Sequence, residues 1–367
     1  MNSAPSVDFD AAARTIEYCY EQGWTDGLPV VPPAPELVER FLAQTRRDRS
    51  AAPWRLEHLG SACTIQLAAM NAAMAGCLPE YFPVVLAALD AAFREGCPRM
   101  GAWQSTTGGA PLLIVNGPVR GQLGFNASGS VFGPGFRANA TVGRAIRLIV
   151  RNAFGILPHE LDQSSQGTPG QQTLCIAENE EESPWEPLQV DLGHAAETST
   201  VSALHVRSCD FVDNRQTGDP RHVLNDIADT ISRTGALMPA EHAACVILGP
   251  EHAQLLAGRG YSKRDVKEYL AEHSCRTYGD LRRTGRGSVE EPSGWRGPEP
   301  ATHAGGEASL EERDAGELVR LIPSPDDVFV VVAGARNAGV STVAQPFGKT
   351  LDRGHRGPGT SLVDDWR

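Results

Sequence analysis

The chain has 367 residues, 41% of them apolar and 21% charged, and a formal net charge of −12. That apolar content is enough for a substantial core and excludes global disorder, while an acidic balance without any basic cluster excludes duplex nucleic acid and anionic membrane surfaces as partners. No window approaches the roughly 20 apolar residues of a membrane span, and no positive segment followed by an apolar one opens the chain, so a cytoplasmic protein of about two domains is expected.

Residues 10–22 carry Ala12, Ala13, Ile16, Cys19 and Tyr20 at helical spacing, and Gly23 supplies the stop. The run WTDGLPVVPP (24–33) follows, and its three prolines and one glycine forbid a helix and fix an extended path. Pro35 opens a helix to about residue 41. Two helices are expected over 61–95, broken at Leu78-Pro79; the second lines up Phe82, Val85, Leu86, Leu89 and Phe93. PLLIV (111–115) reads as a buried strand ending in the turn Asn116-Gly117-Pro118. A glycine-rich stretch (124–136) leads into a helix over 138–154, a loop over 161–170 and a strand over 173–177.

The acidic run from Glu178 to Glu182 comes next, and rising polarity near 190–198 suggests a domain boundary. Beyond it, strands are expected at 200–206, 244–248 and 328–332, with helices at 221–236, after Pro250, and from Ser262 as N-cap. Residues 282–313, rich in Gly, Pro, Arg and Glu, read as a flexible insertion. The expected fold class is α/β, in two lobes with glycine-rich loop–helix junctions. The lobes span 1–195 and 196–350, and residues 351–367 read as a loose tail.

The stretch GFNASGSVFGPGFRANATVGR (124–144) is the most informative candidate site. Its four glycines ahead of the helix let backbone approach a ligand closely, and the helix N-terminus then offers unpaired N–H groups and partial positive charge. Arg137 and Arg144 would clamp a carboxylate or phosphate in a guanidinium fork, with Asn126, Ser128 and Asn139 as hydrogen-bonding groups. The alternative is a structural loop with solvent-facing arginines. No dinucleotide fingerprint is in register, so no cofactor is assigned.

Asp26 is held by prolines beside Trp24. A partly apolar setting raises a carboxylate's pKa and suits acid–base work, although Asp26 could equally cap its own turn. Glu178 is a second acid–base candidate, and the 178–182 carboxylates could serve as metal ligands or form a solvated face. Residues 333–342 have the outline of a phosphate loop, with Gly334, Gly339 and Ser341 in place, but Val340 stands where the lysine is required. A strand–turn–helix junction is the favoured reading there. The hydroxyls of 105–107 and Asn116 offer hydrogen bonds, but no GxSxG accompanies them. The eight cysteines have no zinc spacing and read as small buried hydrophobes, and His159 and His205 read as structural.

WTDGLPVVPP, FGPGFRANATVGRAIRLI and CIAENEEESPWEPL together resemble a bacterial family associated with a UGSC selenocysteine or cysteine motif. The resemblance spans most of residues 15–275 and implies no particular reaction. No UGSC or CGSC occurs in this chain, so no thiol or selenol redox role is carried over. The residues point to a metabolic enzyme that acts on a small anionic substrate by lyase- or hydrolase-type proton transfer, with Asp26 or Glu178 as acid or base. Two alternatives stand beside it: a non-catalytic subunit or binding partner of an enzyme complex, and a metal-dependent enzyme using the 178–182 carboxylates. The expected partners are a small anionic substrate and either further copies of the chain in a homo-oligomer or a partner subunit.

Overall fold

Local sequence sets most element limits in the computed structural model, which describes residues 8–94, 102–234, 242–284, 314–347 and 357–367. Helix α1 (Phe9–Glu21) starts where the Asp8 side chain accepts from the Ala11 N–H, and it ends ahead of Gly23, whose φ of 71° needs no Cβ. Helix α2 (Pro35–Leu42) opens on its proline. A short antiparallel hairpin, β1 (Trp54–Leu56) and β2 (Ser61–Cys63), precedes α3 (Ile65–Met74), which Thr64 caps through the Leu67 N–H. Helix α4 (Phe82–Arg94) resumes after the break at Leu78-Pro79. Then come β3 (Ala110–Asn116), α5 (Val119–Leu123), α6 (Arg137–Asn152), β4 (Cys175–Ala177), α7 (Leu188–Asp191) and the long β5 (Thr200–Asp213).

The remaining elements are α8 (Pro220–Thr234), β6 (Ala244–Leu248), α9 (Pro250–Gly258), α10 (Lys263–His273), β7 (Cys275–Thr277), α11 (Tyr278–Arg283), β8 (Leu318–Arg320), β9 (Val328–Val332), β10 (Val340–Pro346) and β11 (Gly359–Leu362). The Ser262 cap of α10 forms a full capping box with Asp265. The fold is α/β, as expected.

The chain divides into two compact units, but not at one point. The first comprises Met1–Glu180, Gln189–Arg207 and Pro358–Arg367; the second comprises Glu181–Leu188 and Ser208–Gly357. The expected cut between 195 and 196 is therefore displaced. The polar stretch there is a turn inside the first unit, and the strand after it runs past the expected 206 to Asp213, crossing from one unit into the other. The expected loose tail is also corrected from Gly357 onward. There β11 pairs antiparallel with β5, and Trp366 is buried, its ring 5.0 Å from that of Trp54. Residues 285–313 of the expected insertion, and 351–356 of the tail, lie outside the described residues.

In the first unit, β3 is parallel to β4 and antiparallel to β5, and residues 200–203 of β5 also pair antiparallel with β11. One face of this sheet presents Leu113, Val115, Cys175, Ala177, Val201 and Ala203 to a core shared with α3, α4 and α6. Strand alternation turns Asn116, Glu178 and Thr200 to the other face. Gly143 lets α6 close on β4: a Cβ there would lie 2.4 Å from Thr173 Oγ1 and 3.1 Å from the Leu174 nitrogen.

In the second unit, β6 is parallel to β9 and antiparallel to β10. Helices α8, α9 and α10 contribute Val223, Ile227, Leu256, Val266 and Leu270 to its separate core. The stretch at 333–342 leads into β10 (Val340–Pro346) rather than the expected helix, because Thr342 and Val343 are β-branched and pair with β6.

Candidate functional site

Arg137, Arg144 and Arg151 lie seven residues apart, which brings them to one face of α6. Arg144 meets Asp26 in a bidentate pair, Nε to Oδ2 at 2.8 Å and Nη2 to Oδ1 at 2.7 Å. Its Nη2 also donates to the carbonyls of Leu28 (3.1 Å) and Pro29 (3.0 Å). One turn-pair further along, Arg151 Nη2 donates to the Gly23 carbonyl at 3.4 Å and Asn152 Nδ2 to that of Trp24 at 3.0 Å. The extended 23–29 segment is thus stitched along α6.

Asp26 and Arg144, expected to face a ligand, face each other. Burial pushes the Asp26 carboxyl up, but hydrogen bonds and charge from Arg144 outweigh it and hold the group below its ordinary range. The expected upward shift is therefore reversed. Asp26 Oδ1 also accepts from the Leu28 N–H at 3.3 Å, the turn-capping bond that the sequence allowed.

The glycine-rich loop is held by a reciprocal amide pair. Asn126 N–H donates to Asn139 Oδ1 (2.8 Å), and Asn139 Nδ2 donates back to the Asn126 carbonyl (3.0 Å) and to that of Cys175 in β4 (3.2 Å). Within the loop, Asn126 Oδ1 accepts from the Ser128 N–H at 3.1 Å and its Nδ2 donates to the Gly129 carbonyl at 3.0 Å. Ser128 itself is exposed. Phe136 occupies the N-cap position of α6, so the first helix amides receive no side-chain cap. Arg137 is exposed beside them; its side chain donates from Nε to the Gly76 carbonyl at 2.9 Å. Arg147 pairs with Asp162 at 2.7 Å instead.

A polar cluster stands at the carboxyl ends of the parallel strands β3 and β4, the edge where open α/β sheets bind ligands. Glu178, fully buried, accepts from Asn116 Nδ2 at 2.7 Å. Glu180 Oε1 accepts from the same nitrogen at 3.1 Å and from the Gly117 N–H at 2.7 Å, and its Oε2 meets Arg120 Nη2 at 2.8 Å. Arg120, also buried, donates to the carbonyls of Gly117 (3.1 Å) and Glu178 (2.8 Å). Gly117, at φ 80°, leaves no room for a Cβ, which would fall 2.3 Å from the Thr198 carbonyl oxygen. The loop reaches this edge through the Ala177 N–H, which donates to the Asn126 carbonyl at 3.3 Å.

Sequence reading missed Arg120 and included Glu180 only as one of the 178–182 run. The signal available was an Asn-Gly turn at a strand end with an arginine one helical turn beyond it and alternate glutamates after the next strand. The acidic run is neither one solvated face nor one ligand set: Glu182 belongs to the second unit and pairs with Arg336 at 2.5 Å. Among the described residues no group of three or more His, Cys, Asp or Glu side chains is placed to hold a metal ion.

Other sequence candidates are packing groups. Ser341 is buried and bonds His252 Nδ1 at 2.8 Å, while His252 Nε2 lies 3.0 Å from the Asn214 carbonyl. Burial drives His205 down to about 3, which keeps it neutral beneath Trp103. Cys19, Cys63, Cys77, Cys175 and Cys245 are buried, and burial pushes the thiols of Cys63 and Cys77 up to about 12. Cys209 is exposed, Cys275 is partly exposed, and Cys97 lies outside the described residues. No helix among the described residues is long and apolar enough to cross a membrane. Comparison of the chain with protein-family models and with curated proteins gives no match.

Proposed function

We propose that the first unit is a metabolic enzyme module that binds a small carboxylate- or phosphate-bearing substrate at the carboxyl edge of β3 and β4 and moves a proton through Glu178, in a lyase- or hydrolase-type reaction. The observation that carries this reading is that the loop clasped by Asn126 and Asn139, leading into the uncapped α6 N-terminus, is tied to the end of β4 through the Ala177 N–H, the residue before the buried Glu178. Helix amides and dipole favour an anion at that terminus. Arg137 supplies the mobile countercharge and the Ser128 hydroxyl a further hydrogen bond. Asp26 and Arg144 act at one remove by fixing α6 on the 23–29 segment. Asn116 orients Glu178, and Arg120 balances the charge of Glu180.

The test is binding of succinate and inorganic phosphate to the full chain, followed by thermal shift and native mass spectrometry. Arg137→Ala is expected to weaken binding about tenfold, the effect of losing one charge-assisted hydrogen bond. Glu178→Gln should keep binding and lose turnover once a substrate is identified. Unchanged anion affinity in Arg137→Ala would remove the helix terminus from the site.

A second reading, an interface with a partner subunit or another copy, is favoured by the exposed apolar side chains of Leu28 (43%), Val31 (42%) and Phe136 (36%) in segments that contact α6 or lead into it. Light scattering across a concentration series, with Leu28→Ser and Phe136→Ser variants, separates the two readings.

A further inference from the structure

Asn116 Nδ2 donates to Glu178 and to Glu180. Two carboxylates thereby fix which end of the amide is nitrogen, since the flipped amide would set its oxygen against both of them. The oxygen is then turned away from the carboxylates. Asn116 is fully buried, and Oδ1 has no hydrogen-bond partner among the described residues. Thr200 is the residue opposite Asn116 in the β3–β5 ladder, on the same face and at the last rung, and its Oγ1 is likewise buried and unpartnered among the described residues. Buried polar atoms are almost always hydrogen-bonded, so two unpartnered neighbours on one rung mark a place built for a third group. A carboxamide oxygen can only accept, so that group must donate.

We infer that Asn116 Oδ1 and Thr200 Oγ1 receive a hydrogen-bond donor on the substrate, a hydroxyl or a protonated amine. This rests on the anionic-substrate reading and narrows it to a hydroxy acid or an amino acid. Sites that pair a substrate donor with buried acceptors reject the analogue lacking it, because the acceptors are then left bare.

The experiment compares succinate, malate and aspartate, which share a skeleton and differ at one carbon in carrying hydrogen, hydroxyl or ammonium. Equilibrium binding to the full chain is measured alongside the melting temperature of the free protein. Malate or aspartate is expected to bind about tenfold or more tightly than succinate, and whichever leads identifies the donor. The preference should collapse in Thr200→Val and survive in Thr200→Ser. The free Thr200→Val protein should melt no lower than the wild type, since the lost hydroxyl has no partner to leave behind. Equal binding of the three acids overturns the inference and leaves the anion reading standing. A lowered melting temperature for free Thr200→Val also overturns it, by showing that the hydroxyl is already satisfied. Failure of all three acids and of inorganic phosphate to bind sinks the anion reading and this inference together.

Discussion

Asp26 shows how one neighbour inverts the behaviour of a carboxylate. Prolines and Trp24 give it the apolar setting that raises a pKa, yet the Arg144 fork holds it ionised. Both side chains are largely buried, at 5% and 15% exposure, so Asp26→Ala strands a guanidinium and is expected to cost about 3 kcal/mol in denaturant unfolding. The pH dependence follows from the direction of the shift. A carboxylate with a depressed folded pKa contributes stability that is fully present above its unfolded value of about 3.9 and is lost as pH falls through the lower folded value. The stability gap between wild type and Asp26→Asn should therefore stay constant above about pH 5 and narrow below pH 4. A gap that widens on acidification would contradict the pairing.

At the scale of the element, α6 is the piece that organises the candidate site. Its helical period was legible in the sequence, and so was the alignment of Arg137, Arg144 and Arg151. What that face meets was not, because the 23–29 segment is more than a hundred residues away in the chain and carries no periodic signal. Asn139 anchors the glycine loop with bonds to and from Asn126 and to Cys175. Asn139→Ala should cost roughly 2 kcal/mol, the loss of about two net hydrogen bonds, and should speed amide exchange across residues 124–136 while leaving the far end of α6 protected. Gly143→Ala is expected to destabilise by about 1–3 kcal/mol through overpacking, since its Cβ would meet Thr173 Oγ1 at 2.4 Å. A Thr173→Ala second substitution should recover part of that loss.

At the scale of the whole molecule, the first unit is closed by the end of the chain. Strand β11 pairs along β5, Ser361 bonds Asp90 at 2.7 Å and Trp366 at 3.1 Å, and Trp366 stacks on Trp54. Trp366→Ala is expected to cost about 3–5 kcal/mol, as for other large buried aromatics. Tryptophan fluorescence should report partial exposure of Trp54 before the second unit unfolds.

Patterns carried by neighbours in the sequence were readable: the caps at Ser262 and Gly23, the proline start of α2, the break at Leu78-Pro79, and the buried runs that became β3, β6 and β9. They depend on propensity, dihedral restriction and period, which act over a few residues. Only tertiary structure decided the features that join distant segments. It paired Asp26 with Arg144, returned residues 359–362 to β5, turned the 340–346 segment into a strand beside β6, and gathered Asn116, Arg120, Glu178 and Glu180 at one edge. Sheet neighbours and ion partners are chosen by which surfaces are buried together, and no local period records that choice. The sequence determined that a glycine-rich loop leads into an arginine-bearing helix; the fold determined that Arg144 and Arg147 of that helix are taken up by Asp26 and Asp162.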